Sequence, residues 1–167
     1  MLSLSELNAI SQEAFVAALG AIFENTPAIA AKAWHQRPFD TVDDLHRAMV
    51  AVVQADSTEA QLALLRAHPD LGSRAAMAEA SVQEQASAGL DRLSPEEYSR
   101  FHRLNRAYAE QFGFPFIIAV RSHTKASILA AFEERLQNSR AAELQTALQE
   151  VFKIARFRLD ATVGAEA

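Results

Sequence analysis

A helix-start signal recurs along this chain, and nearly every copy is followed by apolar residues three and four apart. Ser3-Leu4-Ser5-Glu6 has capping-box spacing. Ser11 offers a second start before Phe15, Leu19, Ile22 and Phe23, so the first element is one amphipathic helix or a pair broken near Ser11. Thr26-Pro27 places a cap residue before a proline at the first helical position, and Ile29, Ala33 and Trp34 give that helix a short apolar face ending before Arg37-Pro38. Thr41 restarts the pattern with Val42, Leu45, Met49, Val52 and Val53 on one stripe. Asp56 or Ser57 caps the next helix, whose Leu62, Leu64 and Leu65 lead into Ala67-His68-Pro69. Proline disfavours helical geometry at the residue before it, so this helix stops at about His68.

The second half repeats the grammar. Asp70 to Ala80 is read as a loop of small residues; Ser81 then opens a short helix with Glu84 three residues on, and Gly89 closes it. Ser94-Pro95-Glu96-Glu97 starts a long helix with Tyr98, Phe101, Leu104, Asn105, Tyr108 and Phe112 on one face and Gly113 at its end. Thr124 caps a helix with Ile128, Leu129, Phe132 and Leu136 inward. Asn138 or Ser139 begins the last helix, with Leu144, Leu148, Val151, Ile154, Ala155 and Leu159 in phase. Charged stretches such as Glu133, Glu134 and Arg135 are read as solvated surface.

Phe114-Pro115-Phe116-Ile117-Ile118-Ala119-Val120 is the one β-branched, aromatic run, and alone it has no sheet to join. Buried against helices, its backbone groups need partners other than a ladder and are open to a ligand. A chain of 167 residues suits one domain with one core. The expected fold is all-α, a single domain over residues 1–167 with about eight helices and one short extended connector.

Composition removes several function classes. A net charge of −5 disfavours broad nucleic-acid binding, which needs a dominant cationic surface. With no Cys, thiolate metal sites, disulfides and cysteine nucleophiles are absent from the inventory. No apolar run approaches the roughly 20 residues of a bilayer crossing. The first residues do not read as a signal peptide and the last carry no peroxisomal address, so a soluble, cytoplasmic protein is expected. There is no Gly-x-Ser-x-Gly elbow, Walker loop, dinucleotide glycine pattern or metal-motif spacing among the His residues.

Acid–base chemistry by His and Glu remains. Of the five His, His35, His46, His102 and His123 sit in or beside predicted helices among charged neighbours. His68 differs, because a helix end and Pro69 restrict where its ring can point. A histidine stabilised at a helix C-terminus without any activity is the competing account. For Ser81 and Glu84 a capping box explains both residues, yet a helix N-terminus also exposes N–H groups at Ser81, Val82 and Gln83 that suit a carboxylate or ureide oxygen, with Glu84 and Gln85 adding an acceptor or donor.

His68-Pro69-Asp70-Leu71-Gly72, Ser81-x-x-Glu84-Gln85-x-x-Ala88-Gly89-Leu90, Leu104-Asn105-x-x-Tyr108 and Phe112-Gly113-Phe114-Pro115-Phe116-Ile117 together resemble the 2-oxo-4-hydroxy-4-carboxy-5-ureidoimidazoline decarboxylases (OHCU decarboxylases) of urate breakdown. The resemblance runs along essentially the whole chain, including Arg135-Leu136-x-Asn138 and Arg158-Leu159. It implies an all-helical, cofactor-independent homodimer that needs no metal and converts OHCU to (S)-allantoin and carbon dioxide. Carried across residue by residue, it implies His68 as catalytic acid/base with Glu84 as its partner, and Ser81 and Gln85 as substrate contacts. Pro69, the turn from Ser81 through Val82 and Gln83 to Gln85, and Phe116, Ile117, Ile118, Ala119 and Val120 become the walls and backbone clamps of the pocket.

Arg121 adjoins that last segment and is read either as a ligand contact or as a structural ion-pair partner. The interval from His68 to Ser81 is shorter than in many relatives, which bears on the covering role of that loop more than on the catalytic pair. The alternative function is an inactive helical interaction module on the same fold.

Overall fold

Local capping chemistry sets most of the helix starts. The computed structural model of the chain describes residues 1–73 and 79–164, and among these are nine α-helices. Ser3 accepts from the Glu6 N–H while Glu6 accepts from the Ser3 N–H, starting α1 (Leu4–Ala9). Ser11 caps α2 (Gln12–Leu19), Thr41 caps α4 (Val42–Ala55) and Ser57 caps α5 (Thr58–Arg66). Between them α3 (Ala28–Ala33) runs on into a short 3-10 turn, Trp34–Gln36. Next come α6 (Glu79–Ser87), α7 (Pro95–Phe112), α8 (Lys125–Arg135) and α9 (Arg140–Thr162).

Two open alternatives are decided and one expectation, the Thr26 cap, changes. The N-terminal element is two helices, because at Ile10 the chain turns extended and its carbonyl accepts from Trp34 Nε1 and Arg37 Nη1 instead of continuing the ladder. Thr26 is not a side-chain cap; its hydroxyl donates to the Glu24 carbonyl and Pro27 occupies the N-cap position. Ser139, not Asn138, opens the last helix, its hydroxyl accepting from the Ala142 N–H at 3.2 Å. Both capping boxes at Ser3 and Ser94 form as expected. The Glu97 carboxyl is held below the usual carboxylate range chiefly by the Ser94 backbone N–H it accepts, with Lys125 adding to the effect.

The chain divides into two compact units, Met1–Ala67 with Phe152–Ala167, and His68–Val151. In the first, Leu45, Met49 and Val53 of α4 are buried as one stripe, with Phe15 stacked on Phe39 at 6.4 Å. Asn8 pins Phe39 by accepting from its N–H and donating to its carbonyl. Arg158 and Glu24 form a buried ion pair at 2.8 Å. Leu2 and Val163 meet in an isolated parallel bridge.

The second unit is organised around α7, whose Phe101, Asn105, Tyr108 and Phe112 are buried at helical spacing. The helix ends at Gly113, whose φ of 82° a side chain would strain. Tyr108 contacts three rings at once: Phe112 at 4.5 Å, Phe116 at 5.3 Å and Phe114 at 5.9 Å. Phe116 stacks on Phe132 of α8 at 3.7 Å. Fully burying each such aromatic side chain contributes about 1.5–3 kcal/mol, so the run 114–116 is anchored by packing even though it joins no sheet among the described residues.

Candidate functional site

Every residue expected at the site falls in the unit His68–Val151. α5 ends at Arg66 with Ala67 as its C-cap, and His68 follows, 9% exposed. A proline next in sequence prevents the helix from running on, so the ring is displayed from a helix end as expected.

The residues after His68-Pro69 are gripped from two helices. Gln85 of α6 accepts from the Gly72 N–H at 2.9 Å, and its amide nitrogen donates to the Asp70 carbonyl at 3.4 Å. Asn105 of α7 donates to the Leu71 carbonyl at 2.9 Å. Gly72 itself has φ 70°, a left-handed conformation that glycine accepts without a Cβ penalty. An added Cβ would lie 2.7 Å from Leu93 Cδ1. Gly72→Ala is therefore expected to cost about 1–2 kcal/mol in a urea melt and to lower catalytic turnover by shifting the loop next to His68. An unchanged melt and turnover would show that the loop does not need this backbone conformation.

Of the loop expected from Asp70 to Ala80, residues 74–78 lie outside the described residues, and Glu79 and Ala80 are already helical. Ser81 is consequently an interior residue of α6, not its N-cap, and the expected capping box with Glu84 is not the reason for either residue. What unites Ser81, Glu84 and Gln85 is helical phase: positions i, i+3 and i+4 share one face. Ser81 and Gln85 are buried and Glu84 half-buried, whereas Val82 and Gln83 point outward, Val82 being 49% exposed.

α6 packs against a 3-10 turn, Val120–Ser122, which continues the Phe116–Val120 segment. All five residues of that segment are buried. Two of the backbone groups that had seemed open to a ligand are taken by protein side chains: the Ile117 carbonyl accepts from Arg135 Nη1 at 2.6 Å, and the Ala119 N–H donates to Glu150 Oε1 at 3.2 Å. Arg135, expected on the solvated surface, is thus a buried residue, 7% exposed and paired with Glu143 at 2.7 Å.

A cavity of about 230 Å³ opens where the loop meets α7, lined by Asp70, Leu71, Gly72, Ser73, Tyr98, His102 and Asn105. Tyr98 and His102 stack with ring centroids 6.3 Å apart. Asn105 Oδ1 is buried without a hydrogen-bond partner, which gives this wall an acceptor. His68, Ser81 and Glu84 do not line this cavity. Tyr98 and Asn105 read in the sequence as helix-face residues only, because nothing local shows that a loop from elsewhere closes over them. Of the other histidines, His46 Nε2 bonds the Phe152 carbonyl at 2.8 Å and His123 Nδ1 the Ser127 hydroxyl at 3.0 Å, structural contacts both. Among the described residues no group of three or more His, Asp or Glu is arranged to hold a metal ion.

A family model described as OHCU decarboxylase matches residues 8–160 of this chain. The chain belongs to the OHCU decarboxylase family. Its relatives in that family include a 2-oxo-4-hydroxy-4-carboxy-5-ureidoimidazoline decarboxylase of Haloferax volcanii, 49% identical with 95% of this chain and 94% of the relative covered. Another of that name, from Halalkalicoccus jeotgali, is 48% identical with 95% of this chain and 90% of the relative covered. In three dimensions the chain is similar to a crystal structure of (S)-allantoin synthase, with TM-score 0.79 and 32% identity over 98% of this chain. It spans 54% of that longer chain. The matched stretch contains the whole of the unit His68–Val151, most of the other unit and every candidate site residue. No described helix is long and apolar enough to cross a membrane.

Proposed function

We propose that this protein is a carboxy-lyase that converts OHCU to (S)-allantoin and carbon dioxide, with His68 as general acid/base and Glu84 as its partner. The observation that carries the reading is the family match over residues 8–160, which takes in His68, Ser81, Glu84 and Gln85 together. A pure scaffold has no need of all four.

The substrate supplies its own electron sink. One ring carbon bears both a hydroxyl and a carboxylate beside an imine-type carbon, so when the bond to the carboxylate breaks its electron pair forms a carbon–carbon double bond and displaces the C=N pair onto nitrogen, which takes a proton. The resulting enol then loses its hydroxyl proton while the ureido-bearing carbon gains one, and delivery to one face gives the (S) product. The net change is loss of carbon dioxide and uptake of one proton. His68 and Glu84 handle these protons from fixed positions.

The segment from Ser81 to Gln85 forms one wall, Ser81 and Gln85 touching substrate and Val82 and Gln83 entering only as backbone. Gln85 can do this beside its loop-anchoring role, because a side-chain amide carries two N–H donors. Pro69 and Phe116, Ile117, Ile118, Ala119 and Val120 form the opposing walls. A strong cation on the departing carboxylate would favour the ground state over the transition state, so Arg121 is not needed there. Residues 1–167 act as one catalytic domain, a reading supported by a family match that reaches into both units. The family resemblance also supports a homodimer without nucleic-acid or membrane partners, and a chain without Cys suits a cytoplasmic setting.

Freshly generated OHCU, followed by circular dichroism with and without the protein, tests the reading. Faster decay with build-up of optically active allantoin is expected. Racemic product at the spontaneous rate would instead support an inactive interaction module.

A further inference from the structure

We infer that Arg135 and Glu150 are positioning residues for decarboxylation, acting through the backbone of the Phe116–Val120 segment; the inference rests on that segment forming a wall of the substrate pocket. The run from Pro115 to Ala119 has no regular secondary structure and pairs with no strand among the described residues. Its path must therefore be set by other groups. Two of its backbone groups, two residues apart, are held by buried charged side chains: the Ile117 carbonyl by Arg135 Nη1 at 2.6 Å and the Ala119 N–H by Glu150 Oε1 at 3.2 Å. Charge-assisted hydrogen bonds of this kind are stronger and more directional than neutral ones.

Arg135 is itself held in place. Its Nε donates to Glu143 at 2.7 Å, and its guanidinium lies 4.3 Å over the Phe116 ring. Glu143 also accepts from the Tyr108 hydroxyl at 2.6 Å and from Asn138 at 3.0 Å. The segment thus takes its register from α8 through Arg135 and from α9 through Glu150, while its following turn abuts α6, the helix that carries Ser81 and Glu84. A shift of either grip moves the wall of the pocket relative to the catalytic helix without removing any group that touches substrate. A misplaced wall weakens the hold on substrate and loosens the choice of face for the incoming proton, so it is read in KM and in enantiomeric excess.

Glu150→Met removes the acceptor for the Ala119 N–H and keeps an unbranched side chain; Glu150→Gln keeps an acceptor oxygen. With folding checked by far-UV circular dichroism, the expected result for Glu150→Met is a KM raised about 10-fold or more and a lower enantiomeric excess of allantoin, both restored by Glu150→Gln. Amide exchange of the Ala119 N–H should quicken in Glu150→Met alone. Should Glu150→Met not fold, Arg135→Lys poses the same question, since a single ammonium cannot hold Glu143 and the Ile117 carbonyl in the same fork; a folded Arg135→Lys with wild-type KM and selectivity overturns the proposal. So does a folded Glu150→Met with unchanged KM and enantiomeric excess beside an active, stereoselective wild type. A wild type that leaves the spontaneous rate and racemic product unaltered sinks the decarboxylase reading itself, and this inference with it.

Discussion

His68→Ala and His68→Gln are expected to remain folded and to lose about 10²- to 10⁴-fold in the rate of OHCU decarboxylation, the range that positioned acid–base groups supply. The product formed in their presence should be racemic allantoin, because no group is left to deliver the proton to one face. The loss should appear in kcat more than in KM, since the imidazole acts on the developing enol and not mainly on the bound substrate. Glutamine fills much of the same volume and keeps hydrogen-bonding ability at a position only 9% exposed, yet cannot exchange a proton near neutral pH. Fold stability should change little, because Gln85 and Asn105 hold the loop after His68. Stopped-flow circular dichroism gives rate and enantiomeric excess together; near-wild-type rate in either variant would remove His68 from the mechanism.

Glu143→Ala is the substitution expected to cost most in stability, about 3–5 kcal/mol. Glu143 is fully buried and accepts from Arg135, Tyr108 and Asn138. Its removal leaves a guanidinium at 7% exposure without its carboxylate and a buried hydroxyl and amide without their acceptor. In a domain of this size such a loss lowers Tm by roughly 10 °C or more. Burial, then the hydrogen bond to Glu143, pushes the Tyr108 hydroxyl well above the usual phenol range. A group with a raised folded pKa gives stability that is fully present below its unfolded value, about 10, and is lost as pH rises beyond it. Wild-type stability should therefore fall in strong alkali, and Glu143→Gln, which keeps an acceptor but no charge, should show a smaller loss at neutral pH than Glu143→Ala. A Glu143→Ala melt within about 1 kcal/mol of wild type would mean that the pair is dispensable to the fold.

Much of the helical framework was legible because a cap works within four residues. Ser3, Ser11, Thr41, Ser57, Ser94 and Thr124 each accept from an N–H nearby in sequence, and Gly113 ends α7 with its own positive φ. Ser81 shows where that reasoning stops. The spacing from Ser81 to Glu84 fits a capping box, but i, i+3 and i+4 also describe one face of a continuing helix, and the sequence does not distinguish the two. Arg135 shows the same limit for charge: beside Glu133 and Glu134 it reads as surface, while its partners lie at Glu143 on the next helix and at the Ile117 carbonyl.

For the candidate site, the sequence alone determined the placement of His68, because a helix end followed by proline is a constraint of adjacent residues. It also determined that Phe114 to Val120 would be buried without a ladder. Only the tertiary structure decided what holds these pieces: Gln85 and Asn105 on the loop after His68, Arg135 and Glu150 on the Ile117 and Ala119 backbone. Each of those bonds joins groups at least 13 residues apart, and Gln85 to Gly72 is the nearest of them. No local propensity encodes such a pairing, since its geometry exists only after the helices have packed and water has left the groups between them.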